Sequence, residues 1–242
     1  AMEQLLAEGE RIGAGAAKDH PRINLEFVSV NPNGPLHVGH GRYAAYGDAL
    51  CRLLRFSGHD VATEFYINDF GRQMDRFGRS VAARYSQSYG VELPVPEDGY
   101  QGDYVKDVAA VVRQEAGDRW VAALTIAAEA VQAVATAVAE GDAVPAEGTE
   151  GPVDAVPVED QEDEAGDEQE AAGGAEWPAD PAVREAIAFF RARGCELMLE
   201  AMRTELRDFG VEFDIWFSET TLHVGGRLQA VIDRLLASGE AF

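Results

Sequence analysis

Apolar and polar positions along this chain switch between a period near two and a period near 3.6, and the switches mark its elements. Ile23, Leu25, Phe27 and Val28 form an apolar, β-favouring run, which predicts a short strand. Asn31-Pro32-Asn33-Gly34-Pro35 then breaks it, because such a run continues neither a ladder nor a helix. A helical pattern follows at 41–57 through Ala44, Ala45, Asp48, Ala49, Leu53 and Leu54, with Gly58 as its C-terminal stop. Val61 to Ile67 reads as a second strand. Strand, helix and strand at this spacing predict a right-handed parallel βαβ unit, the opening half of a Rossmann-like sheet.

Helices are predicted over 72–89, 104–115 and 120–139, with a loop marked by Pro94 and Pro96. The helix at 120–139 is so rich in Ala and Val that packing on both of its sides is expected. Asp180-Pro181 is a start signal, with Asp180 as N-cap and Pro181 as first helical residue. The helix it opens runs through Ile187, Phe190, Leu197, Met198, Met202 and Leu206 to Gly210, and its Met and Phe stripe at helical spacing is expected in the core. Val211–Phe217 is the expected third strand, and a last helix is expected at about 226–237. Residues 1–20 give a short helical pattern and a polar link.

Composition changes this picture in one place. Residues 140–176 hold fourteen Asp or Glu and no Lys or Arg, which leaves −9 of the net charge of −23 to the rest of the chain. Over 141–176 there is almost no large apolar side chain, so the segment cannot bury enough surface to offset its ordering entropy. It is expected to be a disordered, solvated insertion. Charge alone would never suggest RNA, and any nucleic-acid contact would need a local basic patch. Arg72, Arg76 and Arg79 share one helix face and could meet phosphates, but a solvated face partly paired with Asp69 and Asp75 is the expectation. No run of eighteen apolar residues exists, and no basic region followed by an apolar block opens the chain. Cys51 and Cys195 read as buried small side chains in a reducing compartment. A cytoplasmic location with no membrane contact is expected.

Candidate chemistry centres on His37-x-Gly39-His40, between the first strand and the first long helix. The first-turn amides and the helix dipole favour an anion there. Glycines at 39 and 41 let a nucleotide approach the backbone. The two histidines can donate hydrogen bonds to phosphate oxygens as charge builds up at phosphorus. A metal pair, or two ordinary polar loop residues, is the plainer reading of the same residues. A chance H-x-G-H is expected only about 0.01 times in a chain of this composition, and here it sits in the strand–loop–helix context that nucleotide chemistry requires.

The segment 23–42 resembles the first class-defining motif of the class I aminoacyl-tRNA synthetases. In detail it is similar to the arginyl enzymes, whose pattern E-F-V-S-x-N-P-x-G-P-L-H-x-G-H-x-R is met with Val38 between His37 and Gly39. The likeness continues in Tyr66-Ile67-Asn68-Asp69-Phe70-Gly71-Arg72-Gln73, in Gly102-Asp103-Tyr104 and in Phe213-Asp214-Ile215-Trp216-Phe217-Ser218-Glu219. It covers roughly 22–120 and 180–242.

The resemblance implies an α/β fold: a partial Rossmann-like parallel sheet with flanking helices and a helical, acidic insertion. Residues 1–20 would be a remnant of an N-terminal tRNA-binding domain or a linker, and 21–140 the first part of the catalytic domain. The acidic insert would fill 141–176, and 177–242 would continue the catalytic domain. The implied reaction is ATP-dependent activation of arginine and its transfer to tRNA(Arg), with Mg²⁺ accompanying ATP and a monomer expected for the full-length enzyme. By position, His37 and His40 would be catalytic, and His37, Gly39, His40 and Gly41 would hold ATP. Asn31 would fix the amino acid's α-amino group and Glu26 the guanidinium, although strand alternation leaves Glu26 open as an ordinary outer-face residue. Ser29, Asp69 and Gln73 lie near the site without an assigned role. The family's lysine-bearing loop and anticodon-binding domain have no counterpart in these 242 residues, so the isolated chain is expected to be inactive. The rival readings are a small H-x-G-H nucleotidylyltransferase and a nucleotide-binding synthetase paralogue.

Overall fold

The structure is a computed structural model that describes residues 2–139 and 177–239; the acidic stretch read at 141–176 lies outside them. In chain order the elements are α1 (Met2–Glu8), β1 (Arg22–Glu26), α2 (Val38–Phe56), β2 (Asp60–Ile67), α3 (Arg72–Gln87), α4 (Asp103–Ala116), α5 (Val121–Ala139), α6 (Pro181–Asp208), β3 (Ile215–Ser218), α7 (Thr220–His223) and α8 (Arg227–Ser238). The chain divides into two compact units: Ala1–Met74 with Arg193–Phe242, and Asp75–Ala192.

The first unit holds the expected α/β architecture. Its three strands are parallel, in the order β1-β2-β3. Strand β2 is central, and alternation decides its faces: Val61, Thr63, Phe65 and Ile67 are buried. Phe65 and Ile67 cluster with Ala44 of α2, with Met202 and Leu206 of α6, and with Val211. Val28, Val30 and Leu36 pack against the same cluster, so the loop after β1 is tied to the core by apolar side chains. Gly47 lets α2 lie on the sheet, since a Cβ there would fall 2.2 Å from the ring of Phe27.

The second unit is helical in its described residues. Tyr85 and Phe190 are fully buried with ring centroids 4.9 Å apart, and the Tyr85 hydroxyl donates to the Gly117 carbonyl. Phe77 meets Tyr100 edge-on and lies over Tyr104. Burial pushes the Tyr104 phenol up to about 12, with Tyr100 acting the same way.

Several expectations are corrected. Strand β1 ends at Glu26, because Val28 and Ser29 have left-handed backbone (φ 68° and 44°) that no strand continues. Strand β3 starts at Ile215 in place of Val211. Before it, Asp214 donates its amide to the Thr63 carbonyl while its carboxylate accepts the Thr63 amide, so a side chain replaces a ladder bond. Helix α5 does not bury both sides: Ala123, Leu124, Ala127 and Val131 form one stripe, while Ile126 and Val134 are exposed. The short α7 has no sequence signal of its own. In α6, Ile187 and Leu197 are only half-buried, whereas Val183 and Ala186 complete the buried stripe. Asp180 does cap this helix, its Oδ1 accepting from the amides of Ala182 and Val183. Cys51 is buried and Cys195 half-buried, and no disulfide joins them.

The arginine face is also partnered differently from the expectation. Arg76 pairs with Asp98 at 2.7 Å and Asp75 with Arg191 at 2.9 Å. Asp69 is engaged with hydroxyls and an amide, and the buried Nε of Arg79 has no hydrogen-bond partner.

Candidate active site

The carboxyl ends of β1 and β2, and the loop from Phe27 to Leu36, carry the candidate residues. The chain leaves β1 through the strained pair Val28-Ser29. A β-branched residue at positive φ costs energy and persists only where its surroundings over-determine it. Here Val28 packs against the core, and the Ser29 hydroxyl accepts the Tyr66 amide at 3.0 Å, standing in for the next rung of the sheet. Ser29 is therefore a structural residue that fixes how the loop departs.

Helix α2 begins inside the His37-x-Gly39-His40 motif. His37 is the N-cap, and its Nδ1 accepts the Gly39 amide at 3.1 Å. In return His40 Nδ1 accepts the His37 amide at 3.2 Å, a capping box built from two imidazoles. The rings stack with centroids 3.6 Å apart. An amide can donate only to an unprotonated ring nitrogen, so this geometry assigns the proton of each neutral imidazole to Nε2. Both histidines thus carry their N–H donors on the side away from the main chain. One expectation changes: the Gly39 amide is taken by His37 Nδ1 and the Gly41 amide by the His37 carbonyl. Anion contact at this helix start therefore falls to the imidazoles and the dipole more than to those two amides. A Cβ at Gly41 would meet nothing within 4 Å, so its side of the helix is open.

Gln73 brings the asparagines together. Its Oε1 accepts from Asn31 Nδ2 and, at 3.1 Å, from Asn33 Nδ2. Asp69 is the other anchor: its carboxylate takes the Ser218 hydroxyl at 2.6 Å, the Thr220 amide at 2.9 Å and the Thr220 hydroxyl at 3.0 Å. It ties the end of β2 to β3 and the start of α7. Sequence reasoning missed Asn33, Ser218 and Thr220. The Asn31-x-Asn33 spacing was the available signal for the first; Ser218 lies in the 213–219 block without a role read from it, and Thr220, about 150 residues from Asp69, gives no signal.

Glu26 ends β1 opposite Glu64, exposed and without a hydrogen-bond or ion-pair partner among the described residues. Glu64 itself accepts from Asn24 at 2.8 Å. Burial pushes the Tyr66 phenol up, and the carboxylates of Glu219, Asp69 and Glu26 push the same way. Tyr66 thus stands among three carboxylates at the carboxyl end of the sheet. Two of these are engaged, Asp69 as described and Glu219 with His223 Nε2 at 3.6 Å. His223 in turn stacks on Phe70. Glu26 remains as the acid open to a cation. Among the described residues no three His, Cys, Asp or Glu side chains converge to hold a metal, and no helix is long and apolar enough to cross a membrane.

Comparison with known proteins points to one family. A family model described as the catalytic domain of class I tRNA synthetases (R) matches residues 1–113. The chain is 38% identical over 240 residues to the arginine–tRNA ligase of Thioalkalivibrio sulfidiphilus, covering 97% of this chain and 36% of that protein. It is 32% identical to the arginine–tRNA ligase of Bacillus subtilis, covering 100% and 33%. A solved structure from Campylobacter jejuni, described as an arginyl-tRNA synthetase, superposes with a TM-score of 0.61 at 23% identity over 97% of this chain and 38% of that one, a likeness of fold. The chain spans about a third of the length of the curated relatives it matches.

Proposed function

We propose that this chain, which belongs to the class I arginyl-tRNA synthetases, supplies the nucleotide and amino-acid contacts for activating arginine with ATP, ahead of its transfer to tRNA(Arg). The observation that carries the reading is the paired-imidazole cap, which presents two Nε2–H donors at a helix N-terminus. A triphosphate suits that donor set, because charged acceptors strengthen such hydrogen bonds and the dipole favours the same sign.

In the proposed reaction an arginine carboxylate oxygen bonds to the α-phosphorus of ATP as the bond to the pyrophosphate oxygen breaks. His37 and His40 donate to phosphate oxygens as charge grows on them, and Gly39 and Gly41 leave the helix start uncovered by side chains. Mg²⁺ would enter with the triphosphate and neutralise part of its charge. Asn31 accepts from the α-ammonium of arginine. Glu26 takes the guanidinium in a bidentate pair, a role supported by its unpartnered carboxylate. Arginine, ATP and tRNA(Arg) are the partners of the intact protein, working as a monomer in the cytoplasm. The small nucleotidylyltransferase and the paralogue are not favoured, because similarity to arginine–tRNA ligases runs through 97–100% of the chain.

The test is arginine-dependent ATP–pyrophosphate exchange by the intact protein with tRNA present. Glu26→Gln is expected to raise the KM for arginine by about 10- to 100-fold, the worth of a charged hydrogen-bonded pair, with the KM for ATP little changed. Exchange that ignores arginine would end this reading.

A further inference from the structure

We infer that Gln73 is a positioning residue for the amino-acid substrate: its Oε1 gathers the side-chain amides of Asn31 and Asn33 and thereby turns the Asn31 Oδ1 toward the substrate's α-ammonium. The inference rests on the reading of Asn31 given above.

Two prolines in the five residues Asn31 to Pro35 remove two amide donors from the loop, so side chains do much of its bracing. Val28, Val30 and Leu36 brace it from the core side. On the other side the polar brace is Gln73, the second residue of α3. A carbonyl oxygen has two lone pairs, and both are used here, one for each asparagine. An asparagine amide bonds through both ends. With Nδ2 committed to Gln73, Oδ1 is the end of Asn31 left to accept, and an ammonium needs an acceptor. Rotated half a turn, the same side chain would present N–H groups to a cation and repel it. Gln73 thus decides the sign of the dipole that Asn31 offers.

Gln73 is itself held in place. Gly71, at φ 90°, lets the chain turn from the end of β2 into α3. Two residues earlier Asp69 is fixed by Ser218 and Thr220. The line of contacts runs from β3 and α7 through Asp69 and Gln73 to the asparagines, so a rigid sheet end sets the orientation of a loop amide.

Two substitutions separate an acceptor role from simple bracing. Gln73→Met keeps an unbranched side chain of similar length and removes the acceptor; Gln73→Glu keeps an acceptor oxygen in the same place. In ATP–pyrophosphate exchange by the intact protein with tRNA, Gln73→Met is expected to raise the KM for arginine about 10-fold, one hydrogen bond's worth, and leave the KM for ATP within about twofold. Gln73→Glu is expected to stay within about threefold of the wild type for both substrates. Asn31→Ala is measured alongside. If it raises the KM for arginine and Gln73→Met then adds less than about twofold to it, the two residues act as one unit and the inference stands. A full additional loss in that background, a Glu variant as impaired as the Met variant, or equal rises in both KM values would each overturn it. Should Asn31→Ala leave the KM for arginine unchanged, the reading of Asn31 falls and the role of Gln73 falls with it. An effect of Asn31→Ala with none from Gln73→Met defeats the inference about Gln73 alone.

Discussion

At the scale of single residues, the histidine pair does two jobs with two different atoms. Nδ1 of each ring closes the helix start, and Nε2 of each carries the N–H to which the proposed reaction assigns the phosphate contact. Asparagine is a preferred N-cap residue and can replace the first job but not the second. His37→Asn is therefore expected to keep the melting temperature within about 2 °C, since the cap survives. It should lower the exchange rate by about 10²–10³, the usual loss for one transition-state donor. Parallel losses in ATP affinity and rate would make His37 a ground-state ligand. Asp214 makes the clearest electrostatic statement. The Thr63 amide, its hydroxyl and Arg55 all favour the ionised carboxylate and hold it below the usual carboxylate range. A depressed folded-state pKa gives stability that is present above the unfolded value of about 3.9 and fades as pH falls through the folded value. Melting curves of the wild type and Asp214→Asn should thus differ most near neutral pH and converge below about pH 4. A constant gap across that range would assign the effect to packing.

At the scale of elements, helix α2 sits on β1 through one small residue. Adding a Cβ at Gly47 drives it into the Phe27 ring, so Gly47→Ala should cost about 1–3 kcal/mol by denaturant unfolding. Phe27→Leu in the same chain should recover part of that loss; no recovery would place the strain elsewhere. The elements themselves were largely legible in the sequence. β1, β2 and α2 follow from their apolar periods, and Asp180-Pro181 announced α6 because a cap acts within its own first turn. What stayed hidden depends on contacts distant in sequence. The left-handed turn at Val28-Ser29 is set by the core and by the Tyr66 amide. The late start of β3 is set by Thr63, and the roles of Asp69 and Gln73 by partners 40 to 150 residues away. The histidine motif marked the start of α2 as the candidate site, whereas the use of each ring nitrogen depends on the folded geometry. For α5, composition suggested two buried sides because Ala and Val are apolar wherever they point. The helix in fact spends its small residues on one stripe and leaves Ile126 and Val134 outside.

At the scale of the molecule, the contiguous helical unit and the split α/β unit invite different probes. Tyr104 reports on the helical one. Its folded-state pKa of about 12 exceeds the unfolded value of about 10, so its contribution to stability is complete below about pH 10 and is lost as pH rises toward 12. Absorbance titration of phenolate should show Tyr104 titrating late, and Tyr104→Phe should remove one phenolate from that late phase while flattening the alkaline fall in melting temperature. The split unit has a consequence of another kind, because Glu64 pairs with Ile215 and Asp69 waits for Ser218 and Thr220. Closing so long a loop is entropically expensive, and non-local strand pairing is slow. On a ribosome adding about 5–20 residues per second, β3 emerges roughly 7–30 s after β2 is made. The helical unit, encoded entirely within that interval, has time to fold first. The segment bearing His37 and Asn31 is synthesised before β2, yet Asp69, just before Gln73, gains its anchors only when Ser218 and Thr220 arrive: the nascent chain carries its motif long before the loop beside it is braced.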